Sequence, residues 1–191
     1  MRLMLVLSLL LAPAAASAQV DVPRGKPILL DGRIDAQEWG DAAQLQLGDL
    51  ARVYVKQSDG FVFVGIQLLN EQNGTVDLYL APGDGQLHDL HASAKLGERV
   101  LQGGAWPEVW RWWNNDGWAA SVSRVDSWEP RTFLKEPARE YQISRRRFPG
   151  REWRMMLDVM TEARPTWRTT RFPPQASDTD AKGWYVVRLG P

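Results

Sequence analysis

The sequence contains no cysteine and only two histidines. Without cysteine the chain has neither a disulfide framework nor a lipid-anchored N-terminal cysteine, so its fold depends on a packed core. A nucleophilic triad would have to use His88 or His91. These histidines lie three residues apart on a predicted strand, so their side chains face opposite sides, whereas a two-histidine metal site on a strand needs even spacing. The sequence therefore favours a protein without catalytic activity.

An excess of charge of either sign is also missing. The chain has 23 basic and 23 acidic residues, so we expect no overall attraction to nucleic acid or to anionic lipid. The basic run Arg145-Arg146-Arg147 is interpreted as a solvated strand end and turn. The sequence has no phosphate-binding glycine-rich loop and no dinucleotide fingerprint. A nucleic-acid partner is therefore not predicted.

A long apolar run occurs only at the N-terminus. It extends from Leu3 to Leu11 and is followed by the small residues Ala16-Ser17-Ala18, which form a signal-peptidase cleavage pattern before Gln19. The run is too short for a membrane-spanning helix. We predict a signal peptide over residues 1–18 that is cleaved near Ala18, and a single exported domain over residues 19–191. The predicted location is periplasmic or secreted, and the protein is not expected to span a membrane.

Short strand signals separated by turn residues occupy most of residues 19–191. Phe61–Leu68 is rich in β-branched and aromatic residues and follows Asp59-Gly60, a strong hairpin signal. Many short strands with such turns predict an all-β fold, an antiparallel β-sandwich. Further predictions are one strand from Leu87 to Leu96, a hairpin from Trp106 to Val125, and a long loop from Thr161 to Lys182. Three more strands are predicted at Thr75–Leu80, Arg139–Ile143 and Trp184–Leu189.

One short N-terminal helix is also predicted. Asp35 precedes Glu38 by three residues, which is the capping-box spacing that opens a helix. Trp39 follows and is predicted to be buried by packing. The preceding Asp31-Gly32 is predicted to form a turn.

The order of these features resembles the family 9 carbohydrate-binding modules and their DOMON-like β-sandwich relatives. The resemblance implies a jelly-roll-type sandwich that binds a saccharide, and it continues with Glu140 and Ile143 in the closing half, where Ser144 replaces the usual proline. Family 9 modules clamp a terminal sugar between two tryptophans. At one clamp position this chain has Asn70–Gly74, which contains no aromatic residue. The residues that carry the resemblance are Leu30-Asp31-Gly32, Ile34-Asp35, Glu38-Trp39, Ala42, Val53-Tyr54-Val55, Asp59 and Phe61–Val64.

Ten tryptophans exceed what a core of this size normally uses. Trp39, Trp153 and Trp184 are predicted to be packed, and Trp167 is a separate candidate in the predicted late loop. Six tryptophans lie near the predicted hairpin. For each of them the sequence allows either packing in the core or contact with a ligand. Trp110 and Trp112 share one face of the strand and Trp113 lies on the other. An exposed indole with polar neighbours suits a sugar ring, so the predicted ligand-binding residues are Trp110, Trp112, Trp118, Arg111, Asn115 and Asp116.

No cofactor is predicted, and two alternatives stay open. Ser177–Gly183 is similar to the start of a calcium loop, although Lys182 stands at a ligand position, and Asp77, Asp84 and Asp89 are a second calcium candidate. Some DOMON-like relatives bind haem in a redox role through Met or His. The haem candidates here are Met155, Met156, Met160, His88 and His91. An alternative function is that of a cell-envelope module whose tryptophans contact a protein partner.

Overall fold

The computed structural model describes residues 19–69, 74–112, 116–134, 137–163 and 166–191. The predicted signal peptide lies outside these ranges. The strands are β1 (Gln19–Val22), β2 (Ala43–Leu47), β3 (Ala51–Ser58), β4 (Phe61–Leu68), β5 (Gly74–Ala81), β6 (His88–Ala92), β7 (Leu96–Val100), β8 (Arg111–Trp112), β9 (Trp118–Ala120), β10 (Val125–Trp128), β11 (Arg131–Phe133), β12 (Ala138–Ser144), β13 (Glu152–Ala163), β14 (Thr166–Phe172) and β15 (Tyr185–Leu189). The helices are α1 (Ala36–Trp39) and a short 3-10 helix (Ala181–Gly183).

Two sheets pack face to face, which confirms the predicted all-β sandwich. The larger sheet has the strand order β1-β15-β13-β5-β6-β7-β8, and β14 pairs with β13 beside it. The smaller sheet has the order β2-β3-β4-β12-β9. Strands β10 and β11 form a separate two-stranded ribbon. The described pairings between these strands are antiparallel except that of β1 with β15.

The core lies between the two sheets and follows from the alternation of side chains along each strand. Each fully buried aliphatic side chain contributes about 1.5–3 kcal/mol of transfer free energy. The same alternation sends the intervening side chains to the outer faces. The inward side chains of β4 and β5 include Val62, Val64, Ile66, Val76, Leu78 and Leu80.

The outer face of the smaller sheet is covered by the segment that contains α1. Asp35 caps this helix by accepting hydrogen bonds from the backbone N–H groups of residues 37 and 38. Trp39 is buried, as predicted, and packs over Gly65, where a Cβ atom would lie 2.9 Å from the indole ring. Glu140 accepts hydrogen bonds from Trp39 Nε1 at 3.0 Å and from the backbone N–H of Gly32 at 2.7 Å. Gly32 has φ +81°, which fits the predicted turn.

Three predictions of local structure are wrong. The strand predicted from Leu87 to Leu96 is shorter, since β6 ends at Ala92 and a turn leads to β7, which begins at Leu96. The predicted loop from Thr161 to Lys182 contains the end of β13 and all of β14. Most side chains of β14 are exposed on both faces, so the strand has no apolar alternation that the sequence could reveal.

The predicted hairpin from Trp106 to Val125 is the third error. Strand β8 pairs with β7 in the larger sheet, whereas β9 pairs with β12 in the smaller sheet. The two halves of the expected hairpin therefore belong to opposite layers of the sandwich. This separation determines which tryptophans reach the surface.

Candidate functional site

The outer face of the larger sheet carries a line of side chains that we call the outer row. Its members occupy one register position across six neighbouring strands, from β14 to β8, and alternation directs their side chains away from the core. The row combines charged and polar groups with an indole at its end. In order, its residues are Arg171, Asp158, Asp77, His91, Gly97 and Trp112.

A stacked pair of indoles forms the β8 end of the outer row. The ring centroids of Trp110 and Trp112 lie 5.6 Å apart, with an angle of 27° between the planes. Trp112 is 42% exposed. Arg99 stacks on Trp110, with its guanidinium carbon 3.9 Å from the ring centroid, and Lys95 Nζ lies 5.8 Å from the centroid of Trp112. Each ring of the pair thus has a favourable cation–π contact.

His91 is held beside the indoles by hydrogen bonds at both ring nitrogens. Nδ1 lies 2.5 Å from Asp77 Oδ1, and Nε2 lies 2.9 Å from Ser93 Oγ. The ring packs against Trp110 at a centroid distance of 5.1 Å and meets Trp112 edge-on at 5.9 Å. These contacts hold the imidazole ring in one orientation beside the two indoles.

A second row lies next to the outer row and contains a buried carboxylate. Asp89 Oδ2 accepts hydrogen bonds from Arg99 at 2.5 and 3.2 Å, while Oδ1 has no hydrogen-bonding partner among the described residues. Burial, together with the nearby charge of Asp77, raises the pKa of Asp89 to about 8. Trp106 Nε1 is likewise buried without a partner in the described part of the chain. Two buried polar atoms without a partner among the described residues thus lie near Arg99, whose guanidinium carbon is 5.6 Å from the ring centroid of Trp106.

An outer layer of aromatic residues covers this second row. Trp106 and Trp184 pack edge-on against Tyr79 at centroid distances of 5.5 and 6.1 Å. Burial and the neighbouring carboxylates raise the pKa of Tyr79 above its ordinary value. The outer row is less covered, since the side chains of His91 and Arg171 are 15% and 31% exposed.

Two of the predicted ligand-binding tryptophans occur together at this site. Trp110 and Trp112 lie side by side on the outer face of the larger sheet. Trp113, predicted to face the other way, and Asn115, predicted to contact the ligand, lie outside the described residues.

The prediction that Trp118 presents its ring beside them is wrong. Trp118 is only 3% exposed and belongs to the core between the sheets. It stacks on Tyr141 at 6.1 Å, and its Nε1 donates to Glu98 Oε2 at 3.2 Å. The reason is its location in β9, which belongs to the smaller sheet.

Arg111 and Asp116 lie on the other side of β8. Arg111 is opposite Glu98, an inward residue of β7, so its side chain points away from the face that carries Trp112. Arg111 Nη2 and Asp116 Oδ2 form an exposed ion pair at 3.0 Å, and Asp116 also lies 3.6 Å from Arg147 Nε. The hydrogen bond from Arg111 lowers the pKa of Asp116. These two residues belong to the sandwich edge and not to the rim of the indole pair.

Four residues of the candidate site are not among the predicted ligand-binding residues. His91, Gly97 and Arg99 lie against the indole pair, and Asp77 bonds to His91. Asp89 and His91 are two residues apart on one predicted strand, and this spacing places both on one face. This spacing can be read from the sequence. The sequence does not show which strands lie beside this one, and the other residues of the two rows come from those strands.

The calcium candidates Asp77, Asp84 and Asp89 do not converge. Among the described residues, no group of three or more histidine, aspartate or glutamate side chains has the arrangement of a metal site. Asp77 and Asp89 bond to His91 and Arg99, and Asp84 lies near His88 on the opposite side of the strand. In the other calcium candidate, Ser177–Gly183, the side chain of Asp180 accepts a hydrogen bond from the backbone N–H of Lys182.

The two imidazoles do not fit axial ligation of haem iron. His88 is fully buried in the core, with Nδ1 3.0 Å from Glu98 Oε1, and both nitrogens of His91 are hydrogen-bonded. The two histidines do face opposite sides of β6, as predicted. Met155 and Met156 are buried, which matches methionines that serve as packing residues.

Comparison with family models, with curated proteins and with solved structures gave no match. The resemblance to family 9 modules therefore rests on the sequence features alone. Within the described residues, none of the helices has the length and apolar character needed to cross a membrane.

Proposed function

We propose that the protein is an exported, non-catalytic carbohydrate-binding protein that holds a saccharide against Trp112 and Trp110. The observation that carries this proposal is the stacked, partly exposed indole pair beside a polar row. Sugar rings offer apolar C–H faces that pack on aromatic rings and hydroxyl groups that hydrogen-bond to polar neighbours. The site supplies both kinds of contact within one surface.

Polar groups next to the indoles support the same ligand class. Asp77 is an acceptor, Arg99 is a donor, and His91 lies between Asp77 and the rings. Because Asp158, Asp77 and Asp89 bond to Arg171, His91 and Arg99, the face offers a polyanion few free cations, and the site favours an uncharged polyhydroxyl ligand.

The proposed binding surface formed by Trp110 and Trp112, which we call the platform, differs from the sugar clamp of family 9 modules. That clamp would use Asn70–Gly74, where no aromatic residue is present. Here the indoles are at the β8 edge of the larger sheet, and Gly97 gives them room to lie against it. We therefore propose a binding site formed by this chain's own residues.

Export is proposed from the predicted signal peptide over residues 1–18. Strand β1 begins at Gln19, so cleavage after Ala18 would leave the larger sheet intact. Mass spectrometry of the exported protein should find Gln19, in some molecules cyclised, as the first residue. An intact Met1 on correctly localised protein would contradict this part of the proposal.

The binding proposal is tested by a glycan panel of soluble glucans, xylans, mannans and chitin oligosaccharides, followed by calorimetric titration of the binders. Trp110→Ala and Trp112→Ala should each weaken binding about fivefold, because loss of one stacking ring costs about 1 kcal/mol. Trp128→Ala is the matched control, since Trp128 is 70% exposed but belongs to the separate ribbon. Full affinity in both platform variants would remove this site, and no binding across the panel would reject the function.

A protein partner is the second candidate, and the β10–β11 ribbon is the observation that favours it. Trp128 on this ribbon is largely exposed, and further exposed apolar residues lie on or next to the ribbon. A cluster of exposed apolar side chains is typical of protein interaction surfaces. The neighbouring exposed residues are Val122, Phe133 and Leu134.

A further inference from the structure

A second exposed indole lies on the same outer face. Trp167 is 60% exposed and stands opposite Glu162 in the pairing of β14 with β13. Arg171, the β14 member of the outer row, is four residues further along the strand. Residues an even number apart on a strand share a face, so Trp167 projects from the face that carries Trp112.

The separation of the two indoles exceeds one sugar ring. Five strand spacings separate β8 from β14 in the sheet order, which corresponds to about 24 Å across the strands. The offset between Arg171 and Trp167 adds about 13 Å along β14. The two indoles are thus roughly 25–30 Å apart, before the sheet twist is considered.

The surface between the two indoles has hydrogen-bonding groups, and its cation Arg171 is already paired with Asp158. Arg171 forms a two-pronged ion pair with Asp158, with N–O distances of 2.9 and 2.7 Å, and Asp77 bonds to His91. Thr169 of β14 shares the face. A polyanion gains nothing from charges that are already paired, whereas hydroxyl groups can bond to the remaining lone pairs and N–H groups.

We propose that this face binds an extended, uncharged polysaccharide that crosses the strands and contacts Trp112 at one end and Trp167 at the other. This inference rests on the proposed function and specifies its ligand as a chain of several sugar units. Once one indole holds the chain, the contact with the second indole becomes intramolecular. Affinity should therefore increase with chain length until both indoles are reached.

The test uses cellobiose, cellohexaose and soluble mixed-linkage β-glucan, together with chitobiose and chitohexaose, titrated into the full-length mature protein. Trp112→Ala should weaken binding of short and long ligands alike. Trp167→Ala should leave disaccharide binding unchanged and weaken binding of the hexasaccharide or glucan about fivefold, the loss of one stacked ring. Trp167→Phe should restore part of this loss, and Trp128→Ala should change neither.

The outcomes separate this inference from the proposed function. If Trp112→Ala weakens binding while Trp167→Ala leaves long-chain affinity unchanged, the second contact is wrong and the platform stands. If none of these ligands binds, both proposals fail for this ligand class. An unchanged thermal midpoint in the variants excludes misfolding as the cause of any loss.

Discussion

Gly97 lies directly opposite Trp112 in the pairing of β7 with β8, and a Cβ atom at Gly97 would lie 2.8 Å from the Trp112 ring and 3.0 Å from Trp110. The missing side chain lets both indoles approach the sheet. The same device occurs on the opposite side of the sandwich, where Gly65 makes room for Trp39. On each outer face, an indole ring therefore packs directly over a glycine.

Gly97→Ala should displace both indoles. The added methyl group overlaps with ring atoms, and overpacking of this kind costs about 1–3 kcal/mol. We expect a lower thermal midpoint and weaker saccharide binding. Gly183→Ala is the control, because its Cβ would have only an ordinary contact at 3.8 Å. Equal behaviour of the two variants would show that Gly97 does not support the platform.

Trp39→Ala should destabilise the protein by about 3–5 kcal/mol, since it removes a buried indole. The loss also leaves the Oε1 atom of Glu140 without its hydrogen bond from the indole. Denaturant unfolding measures the effect, with the exposed Trp128→Ala as control. An unchanged unfolding midpoint in Trp39→Ala would refute its role as an anchor.

Trp118→Ala should separate stability from binding. Trp118 is buried against Tyr141 and donates to Glu98, so its loss should cost about 3–5 kcal/mol. The affinity of the folded protein for saccharide should not change, because the ring lies between the sheets. A large loss of affinity with unchanged stability would restore the original assignment of Trp118 to the binding surface.

Stability should fall as the pH rises through the near-neutral range. Burial raises the pKa of Glu140 from 4.5 to about 7, so the folded state binds more protons than the unfolded state between these values. Glu140 therefore contributes to the free energy of unfolding in full below about pH 4.5. This contribution, on the order of 2–3 kcal/mol, is lost as the pH approaches 7. Asp89, with a pKa raised to about 8, adds a loss of the same sign.

Glu140→Gln should reduce this pH dependence, since the amide does not titrate. Denaturant unfolding at several pH values between 5 and 7 measures the slope for both proteins. The pH dependence of stability that remains in Glu140→Gln should be reduced further by adding Asp89→Asn. Identical slopes in wild type and Glu140→Gln would show that Glu140 has an ordinary pKa.

Local signals predicted much of the fold. Asp59 and Gly60 have positive φ values of 51° and 81°, as the hairpin signal requires, and they join β3 to β4. The cap at Asp35 and the burial of Trp39 also follow from nearby residues. Each of these features depends on interactions within a short stretch of chain, so the sequence pattern was sufficient.

The candidate site was only partly predictable because it depends on long-range pairing. The alternation of Trp110 and Trp112 placed them on one face, but the sequence did not reveal that β8 and β9 join different sheets. The prediction that Trp118 lies at this surface is therefore wrong, since the residue belongs to the core. Trp167 was identified as a candidate, yet its place on the same face as Trp112 depends on β14, whose exposed side chains have no apolar period.

Binding at Trp110 and Trp112 is tested most directly by NMR titration of the indole N–H resonances with the saccharide that binds most tightly in the glycan panel. We expect the Nε1–H signals of Trp110 and Trp112 to shift with saturation, while those of buried Trp118 and of Trp128 on the separate ribbon do not. Saccharide binding that leaves the Trp110 and Trp112 signals unchanged would show that the ligand does not bind at this indole pair.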